Sequence, residues 1–169
     1  VVIVGQDPYP GVGHADGLAF SVNNRCTIPG SLRNIFKEVM KCGEGKVMEN
    51  TELECWAKQG VLLLNTMLTV RIGRPEKHRD FGWNTFTSAA LKHVAENVKR
   101  PLVWVGWGKY AQTTISTAGV REGDLCLNCP HPSPLSAHGG FFGCNHFTLI
   151  NNWLRKNGDK PIDWETGSR

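Results

Sequence analysis

The chain has 169 residues, of which 40% are hydrophobic and 20% are charged, a size and composition that fit one globular domain. No segment approaches the roughly 20 apolar residues of a transmembrane helix, which argues against a membrane-spanning protein, and no membrane partner is expected. The formal net charge of +4 permits an anionic partner without requiring one.

The first half of the chain predicts a strand, a helix, a loop and a second strand, in that order. The apolar run VVIVG at 1–5 is typical of a short buried strand. In SLRNIFKEVMK the apolar residues recur at helical spacing, and Ser31 is expected to N-cap this helix. The polar residues at 41–50 indicate a loop, and VLLLN at 61–65 predicts a strand too apolar to have a solvated face.

The second half alternates helices with strands. FGWNTFTSAALKHVAENV predicts a helix, PLVWVG at 101–106 a third strand, KYAQTTIST a short helix, and DLCLNC at 124–129 a fourth strand. The last helix, NHFTLINNWLRKNG, has one apolar stripe and ends at Gly158. Strands buried on both faces and separated by helices predict an α/β fold with three layers, α/β/α, around a central four-stranded, mostly parallel, twisted sheet.

Polar or small residues follow each predicted strand at its carboxyl end. In chain order they are Gln6, Asp7 and Tyr9 after the first strand, Asn65 at the end of the second, Gly108 and Lys109 after the third, and His131 after the fourth. In an open α/β sheet, ligands bind along this edge. A carboxylate, an amide, an imidazole and an aromatic ring are therefore expected to face one cleft.

The loop GQDPYP after the first strand is stiff, since Pro8 and Pro10 fix φ at two of its positions. Taken alone, its residues are more typical of an ordinary polar turn than of a functional site. No GxSxG, Walker A or GxGxxG motif follows a strand, so neither a serine elbow nor a phosphate-cradling loop is indicated. A carboxylate can stabilise a cationic sugar, a histidine can stabilise a departing anion, and an asparagine can bind a nucleobase edge. This combination suits cleavage of a bond between sugar and base.

The six cysteines are irregularly spaced, which indicates reduced thiols rather than a disulfide scaffold. Cys126 and Cys129 form a lone CxxC, to which only His131 and Cys144 could add ligands. Because a structural zinc site normally has four ligands, we expect no metal, with a zinc site as the alternative.

Several motifs together closely resemble the main branch (family 1) of the uracil-DNA glycosylases. They are GQDPYP, GLAFSV, WAKQGVLLLNTMLTV, the Trp-Gly step at 107–108, HPSPLSAHGGFFGCNHF and KPIDW. The resemblance extends from residue 1 to about residue 164, and HPSPLSAH with GFFGC is its most specific part. It implies a DNA repair enzyme that flips uracil out of DNA, hydrolyses its N-glycosidic bond with water, leaves an abasic site and needs no cofactor.

The resemblance also implies roles for residues of the pocket. Asp7 would orient the attacking water and stabilise the oxocarbenium-like sugar, and a neutral His131 would donate a hydrogen bond to uracil O2. The uracil-binding residues would be Gln6, Tyr9, Phe20 and Asn65. Gln6 would line the pocket partly through its backbone, Tyr9 would exclude the methyl group of thymine, Phe20 would stack on the base, and Asn65 would bind N3 and O4.

For DNA, the resemblance implies that Leu135 enters the minor groove and fills the vacated stack, as apolar wedges do. The phosphate contacts would come from Ser31, Gly108, Lys109, Ser133 and Ser136. The chain departs from the family at four positions, which are Pro10 and Asp16 in place of His, Lys109 in place of Ser, and Gly139 in place of Arg. Loss of a cation near DNA should weaken binding, and Lys109 is a candidate replacement for it.

The expected partner is uracil-containing single- or double-stranded DNA, the expected state is a monomer, and a proteinaceous uracil-glycosylase inhibitor is a further candidate partner. We expect one domain at 1–164, without the N-terminal helices with which the family domain normally begins, and a tail at 165–169. The expected location is inside the cell with the DNA, in a bacterial cytoplasm or a nucleus or mitochondrion. Two alternatives stay open, a DNA-binding module that has lost turnover and a generic nucleotide-binding or iron–sulfur glycosylase domain.

Overall fold

A computed structural model describes residues 1–46 and 48–167, and its centre is a four-stranded sheet in which every pairing is parallel. The strands are β1 (Val2–Gly5), β2 (Leu62–Asn65), β3 (Val103–Trp107) and β4 (Leu125–Cys129). They lie side by side in the order β2-β1-β3-β4. The four strands and the parallel sheet that the sequence predicts are confirmed.

Helices connect the strands. The described residues form α1 (Gly30–Lys41), α2 (Glu54–Ala57), α3 (Trp83–Asn97), α4 (Lys109–Ser116) and α5 (His146–Lys156), together with a 3-10 turn at Ala137–Gly139. The sequence predicts the four longer helices. It does not predict α2 or the 3-10 turn, because a single helical turn contains too few residues for a periodic pattern.

The helices cover both faces of the sheet, which confirms the three layers. On one face, Ile3 and Val105 pack in a core with the apolar sides of α1 and α5. On the other face, Val4 and Trp104 pack in a second core with α3 and α4. Because alternate residues of a strand point to opposite faces, the unbroken apolar runs of β1 and β3 supply both cores.

The prediction that the strand at 61–65 has no solvated face is wrong. β2 lies at one edge of the sheet, and its Leu62 is 36% exposed, whereas every residue of β1 and β3 is buried. β4 at the other edge is also partly exposed. An apolar run shows that a strand can be buried, but the position of the strand in the sheet decides how much of it is covered.

The prediction that Ser31 N-caps a helix is also wrong, because α1 begins at Gly30, two residues earlier than an N-cap at Ser31 implies. Pro29 is the N-cap, with φ −66° and ψ 153°, and no side chain caps this helix. Proline suits this boundary because its ring already holds φ near −65° and it has no N–H to leave unpaired. Ser31 becomes the second residue of α1, with its hydroxyl beyond the capping position.

Glu165 and Thr166 of the predicted tail are bonded to the domain. The Glu165 carboxylate accepts a hydrogen bond from the Lys46 N–H (2.8 Å), and the Thr166 carbonyl accepts one from the Asn50 N–H (2.8 Å). Residues 168–169 lie outside the described part of the chain. Within that part, no helix has both the length and the hydropathy needed to cross a membrane.

Candidate active site

The carboxyl ends of all four strands lie along one edge of the sheet. Asn65, the last residue of β2, is paired with Gly5, the last residue of β1. Trp107, the last residue of β3, is paired with Cys129, the last residue of β4. The segments that leave the four strands therefore start side by side, as the sequence predicts.

The side chain of Asn65 lies across the end of β1. A Cβ atom on Gly5 would stand 2.1 Å from Asn65 Oδ1, so only glycine leaves room for this amide. The hydrogen bonds among the described residues leave the Asn65 amide unused. Its donor and its acceptor are thus both available to a ligand at the rim of the sheet.

Backbone hydrogen bonds hold the loop that follows β1. The Gln6 carbonyl accepts bonds from the Thr66 hydroxyl (2.8 Å) and the Met67 N–H (2.9 Å). At the other end of the loop, the Pro10 carbonyl accepts a bond from the Gly73 N–H (2.9 Å). Because both ends are bonded and two positions are proline, the loop has little backbone freedom.

Asp7 is half-buried in this loop. Its Oδ2 atom accepts a hydrogen bond from the Glu76 N–H at 2.7 Å. Burial raises the pKa of Asp7 above its usual value, and the bond from the Glu76 amide opposes that rise. The carboxylate is therefore held in one orientation at the rim, beside the strand end that Asn65 covers.

Tyr9 and Phe20 are joined although they lie on separate turns. The Tyr9 hydroxyl donates to the Phe20 carbonyl (3.1 Å), and burial raises the pKa of Tyr9, which keeps the hydroxyl protonated. Phe20 has a left-handed φ of 65°, a costly conformation for a bulky residue that its surroundings must maintain. Asp16 contributes to this, since its carboxylate accepts bonds from the Leu18 N–H (3.2 Å) and the Ser21 hydroxyl.

His131 is held as a neutral imidazole. Its Nδ1 atom accepts a hydrogen bond from the Ser133 N–H (3.0 Å), and burial lowers the pKa of the ring. Since the accepting nitrogen carries no proton, the proton of the neutral ring is on Nε2, which is then a donor. The ring centroids of His131 and Phe20 are 5.8 Å apart. An imidazole donor and an aromatic ring thus line the same space.

Gly108 lies directly against His131. Its φ is +91°, and a Cβ atom there would stand 3.0 Å from His131 Cβ, so a side chain would displace the imidazole. The Gly108 N–H donates to the Cys129 carbonyl (2.9 Å), which leaves it unavailable to a phosphate. Lys109 beside it is exposed. The geometry therefore makes Gly108 a residue that positions His131, and leaves the phosphate contact of this turn to Lys109.

The segment after β4 forms a compact turn with Leu135 at its tip. Ser136 Oγ donates to the His131 carbonyl (2.8 Å) and lies 3.2 Å from Ser133 Oγ. Leu135 is 99% exposed. A leucine that contacts almost nothing in the free protein, on a turn braced by hydroxyl groups, has the exposure that a wedge into DNA requires.

Asn34 of α1 is a positioning residue that the sequence does not single out. Its buried Nδ2 atom donates to the Pro132 carbonyl (2.9 Å), next to His131. The start of α1 touches the same turn, since a Cβ atom on Gly30 would stand 2.5 Å from Pro134 Cγ. This contact brings the neighbouring Ser31 to the edge of the site. The sequence does contain one indication of this role. Asn34 is a polar residue on the buried side of an amphipathic helix, where its side chain needs a hydrogen-bond partner.

Two thiols and an imidazole meet behind the site. The Sγ atoms of Cys129 and Cys144 and a ring nitrogen of His146 all lie within 4.8 Å of one another. Cys126, the other member of the CxxC, is exposed on the opposite face of β4, because residues three apart in a strand point in opposite directions. The CxxC pair therefore does not converge, and Cys144 is the neighbour of Cys129 instead.

These contacts join the residues from four chain turns into one site. Asn65 lies over the strand that leads into Asp7, Tyr9 is bonded to Phe20, and Phe20 contacts His131. Such a site can hold a planar ring against an aromatic side chain. It can also offer an amide and an imidazole donor to the edge of that ring, and present a carboxylate to whatever is attached to it.

Comparison with known proteins gives the same family throughout. The profile of the Uracil DNA glycosylase superfamily matches residues 1–155. Uracil-DNA glycosylases of Escherichia coli and Escherichia fergusonii are each 49% identical over 165 residues, which are 97% of this chain and 71% of each relative. The crystal structure of mimivirus uracil-DNA glycosylase has a TM-score of 0.89 at 28% identity, over 97% of this chain and 67% of that one. A variant of mimivirus UNG in complex with UGI has a TM-score of 0.88 at 30% identity, over 97% and 68%. The chain belongs to the uracil-DNA glycosylase superfamily.

Proposed function

We propose that this chain hydrolyses the N-glycosidic bond between uracil and deoxyribose in DNA, releasing free uracil and leaving an abasic site. The observation that carries the proposal is the contact between Phe20 and a neutral His131 at the sheet edge that also holds Asp7 and Asn65. The identity of 49% to enzymes named uracil-DNA glycosylase supports the same activity.

Asp7 is the residue that we assign to the sugar and the water. As the glycosidic bond breaks, positive charge develops on the sugar ring, and a fixed carboxylate nearby stabilises it. The same carboxylate can orient a water molecule for attack on the anomeric carbon. The bond from the Glu76 N–H to Asp7 Oδ2 and the flanking prolines supply the rigidity that this role needs.

His131 is the residue that we assign to the leaving base. Uracil departs as an anion, and a neutral Nε2–H can donate a hydrogen bond to its O2 atom as the charge forms. Adding a second proton to the ring would remove the acceptor for the Ser133 N–H, so the lowered pKa and the hydrogen bond favour the same state. Gly108 and Asn34 hold the imidazole and its turn in place.

Base recognition is assigned to four residues that line the pocket, namely Gln6, Tyr9, Phe20 and Asn65. Phe20 stacks on the uracil ring, and the free amide of Asn65 pairs with N3 and O4. Cytosine reverses the donor and acceptor on that edge, which would leave buried polar groups unpaired. Thymine differs by one methyl group, which Tyr9 excludes because the loop around it cannot easily move.

The DNA contacts are assigned to the turns around the pocket. Extruding a base costs a few kcal/mol, and Leu135 would fill the space left in the stack. The phosphate contacts are assigned to Ser31, Lys109, Ser133 and Ser136, with Gly108 acting through His131. We propose that the chain acts as a monomer on uracil-containing single- or double-stranded DNA, in the compartment that holds the DNA. A protein inhibitor is a further proposed partner, because a mimivirus relative is seen in complex with UGI.

An alkaline scission assay tests the proposal. Labelled single-stranded oligonucleotides with one uracil, or with thymine at the same position, are incubated with the protein and then treated with alkali. We expect scission of the uracil strand only, and for Asp7→Asn a rate lower by a factor of about 10² to 10⁴, with DNA binding retained. Binding without scission by the unaltered protein would overturn the proposal in favour of a DNA-binding module.

A further inference from the structure

The segment that carries the proposed wedge starts and ends at a pair of thiols. Cys129 is the last residue of β4, and Cys144 lies two residues before α5, so they bracket residues 130–143. Their Sγ atoms lie within 4.8 Å of each other. The bracketed segment contains both His131 and Leu135. A bond between the two sulfurs would therefore close this segment into a ring at its base.

The nearby imidazole favours thiol chemistry over metal binding. His146 Nδ1 accepts a hydrogen bond from the Trp107 indole N–H (3.1 Å) and lies 4.0 Å from Cys129 Sγ. A metal ion on this nitrogen would leave the buried Trp107 N–H without a partner, which is costly. His146 Nδ1 therefore already has a structural task, and the groups of this cluster that can react covalently are the two thiols.

The two thiols have unequal exposure and unequal acidity. Cys144 is half-buried and can be reached from solvent, whereas Cys129 is 8% exposed. The interaction between the two thiols lowers the pKa of Cys144 and raises that of Cys129, and His146 further lowers the pKa of Cys144. The Cys129 S–H itself donates to the Pro130 carbonyl (3.3 Å). The accessible thiol is thus the better nucleophile, and the buried thiol is placed to resolve a bond formed at it.

Glu38 is the charged group on the other side of Cys144. Its Oε1 atom is 3.9 Å from Cys144 Sγ and 3.7 Å from Cys42 Sγ. Its two oxygens already accept bonds from the Gly143 N–H (2.9 Å) and the Asn145 N–H (3.1 Å). Backbone donors therefore hold both oxygens of this carboxylate in place. The third thiol, Cys42, has its pKa raised to about 11 by burial and by Glu38, so it stays protonated at neutral pH.

We propose that Cys129 and Cys144 are an oxidation site at which a small-molecule disulfide, such as oxidised glutathione, forms an intramolecular disulfide bond. The Cys144 thiolate attacks one sulfur of the small disulfide, forms a mixed disulfide and releases one thiolate. Cys129 then loses its proton, attacks the Cys144 sulfur and releases the second thiolate. Two protein thiols are oxidised, and one small disulfide is reduced to two thiols.

The bond would restrain the proposed active site through β4. The Cys129 carbonyl accepts bonds from the Gly108 N–H (2.9 Å) and from Gln112 Nε2 (2.9 Å), and Gly108 packs against His131. Drawing the sulfurs together to about 2.05 Å moves both ends of residues 130–143. Because small misplacements of catalytic groups are costly, we expect uracil release to slow by about fivefold or more. This rate effect rests on the proposed function, whereas the thiol chemistry does not.

The test is peptide mapping of the whole chain after incubation in a mixture of oxidised and reduced glutathione, acid quenching and alkylation. We expect a peptide linked through Cys129 and Cys144, which dithiothreitol removes. Cys42→Ser, the matched control for a neighbouring thiol, should still form it. Cys129→Ser should stop at a glutathione adduct on Cys144. Two outcomes would overturn the proposal. In one, the exposed Cys126 is modified while Cys129 and Cys144 stay reduced; in the other, Cys144 is linked to Cys42.

The rate of uracil release is a second, separate readout. It should fall when the linked peptide forms, recover with dithiothreitol, and stay constant in Cys144→Ser under the same mixture. If the disulfide between Cys129 and Cys144 forms without a change in the rate of uracil release, the oxidation site is supported and its proposed effect on the active site is disproved. If the protein releases no uracil under any condition, the linked peptide still decides the proposal, and the proposed function alone fails.

Discussion

The two loops that carry the proposed catalytic groups are held in place by different means. In the loop after β1, which carries Asp7, two prolines fix the chain and the carbonyls of Gln6 and Pro10 accept hydrogen bonds. In the segment after β4, side chains hold the part around His131, whereas backbone hydrogen bonds such as that from the Ala137 N–H to the Ser133 carbonyl (2.9 Å) hold the turn beyond it. Asn34 bonds the Pro132 carbonyl, and Ser136 bonds the carbonyl of the proposed catalytic histidine.

The difference matters because we propose different tasks for the two loops. A loop that excludes a methyl group and fixes a carboxylate must not yield, and bonds to its backbone persist whichever side chains it carries. A segment whose tip enters DNA must be able to open locally, and side-chain hydrogen bonds can break one at a time at low cost. Substitutions should therefore act on selectivity in the first loop and on loop order in the second.

The largest expected effect is a loss of base selectivity in Tyr9→Ala. Because prolines and backbone bonds hold the loop, removing the ring should leave its path intact and open space for the methyl group of thymine. The preference for uracil over thymine should fall to what a simple apolar pocket gives for one methylene, about 10- to 200-fold. Values of kcat/KM on matched uracil and thymine oligonucleotides measure this.

Tyr9→Phe is the matched control for the methyl exclusion. It keeps the ring and removes only the hydroxyl that bonds the Phe20 carbonyl, so uracil should still be strongly preferred. If Tyr9→Ala still refuses thymine completely, the exclusion lies elsewhere in the pocket. The proposal that the rigidity of the loop after β1 serves to exclude the methyl group would then be wrong.

The next effect is expected in Asn34→Ala, which removes the link from α1 to the segment after β4. The free energy of unfolding should fall by about 1–3 kcal/mol, because the Pro132 carbonyl loses its buried partner. The rate of uracil release should fall about tenfold, since a misplaced histidine costs catalysis directly. Asn84→Ala, at an exposed position in α3, is the control. Equal rates for the two variants would show that α1 does not hold this segment.

Leu135→Ala should have a smaller effect that depends on the substrate. The side chain is 99% exposed, so the free energy of unfolding should change by no more than about 0.5 kcal/mol. Release of uracil should slow several-fold on duplex DNA and much less on single strands, where no stack needs filling. Leu149→Ala, another exposed leucine on α5, should alter neither rate. An equal loss on both substrates would contradict the wedge.

The smallest expected effect is a pH dependence of stability that comes from His131. Its folded pKa is lowered by burial, while the unfolded residue titrates near 6.5. Below about pH 6.5 the unfolded chain therefore binds a proton that the folded chain resists, and stability falls as the pH drops toward the folded pKa. His131→Gln should lack this loss. Denaturant unfolding at pH 8 and pH 5 measures the difference, and a relative gain by the unaltered protein on acidification would contradict it.

The sequence predicts the sheet well, and it predicts that the segments leaving the strands start along one edge, because both follow from short-range patterns. Each apolar run marks a strand, and the polar residues that follow β1, β2 and β4 mark one edge. The residues that support the site are harder to predict. In the sequence, Asn34 looks like any other polar residue of a helix. Its role depends on the hydrogen bond to the Pro132 carbonyl, 98 positions along the chain.

The sequence by itself determined the order of strands and helices, the stiffness of the loop around Asp7 and the set of chemical groups at the strand ends. Only the tertiary structure decided that Leu62 is partly exposed at an edge, that Phe20 takes a left-handed conformation against Tyr9, and that Cys129 meets Cys144 instead of Cys126. Propensity and periodicity act over a few residues, whereas contacts between distant segments depend on how the whole chain packs.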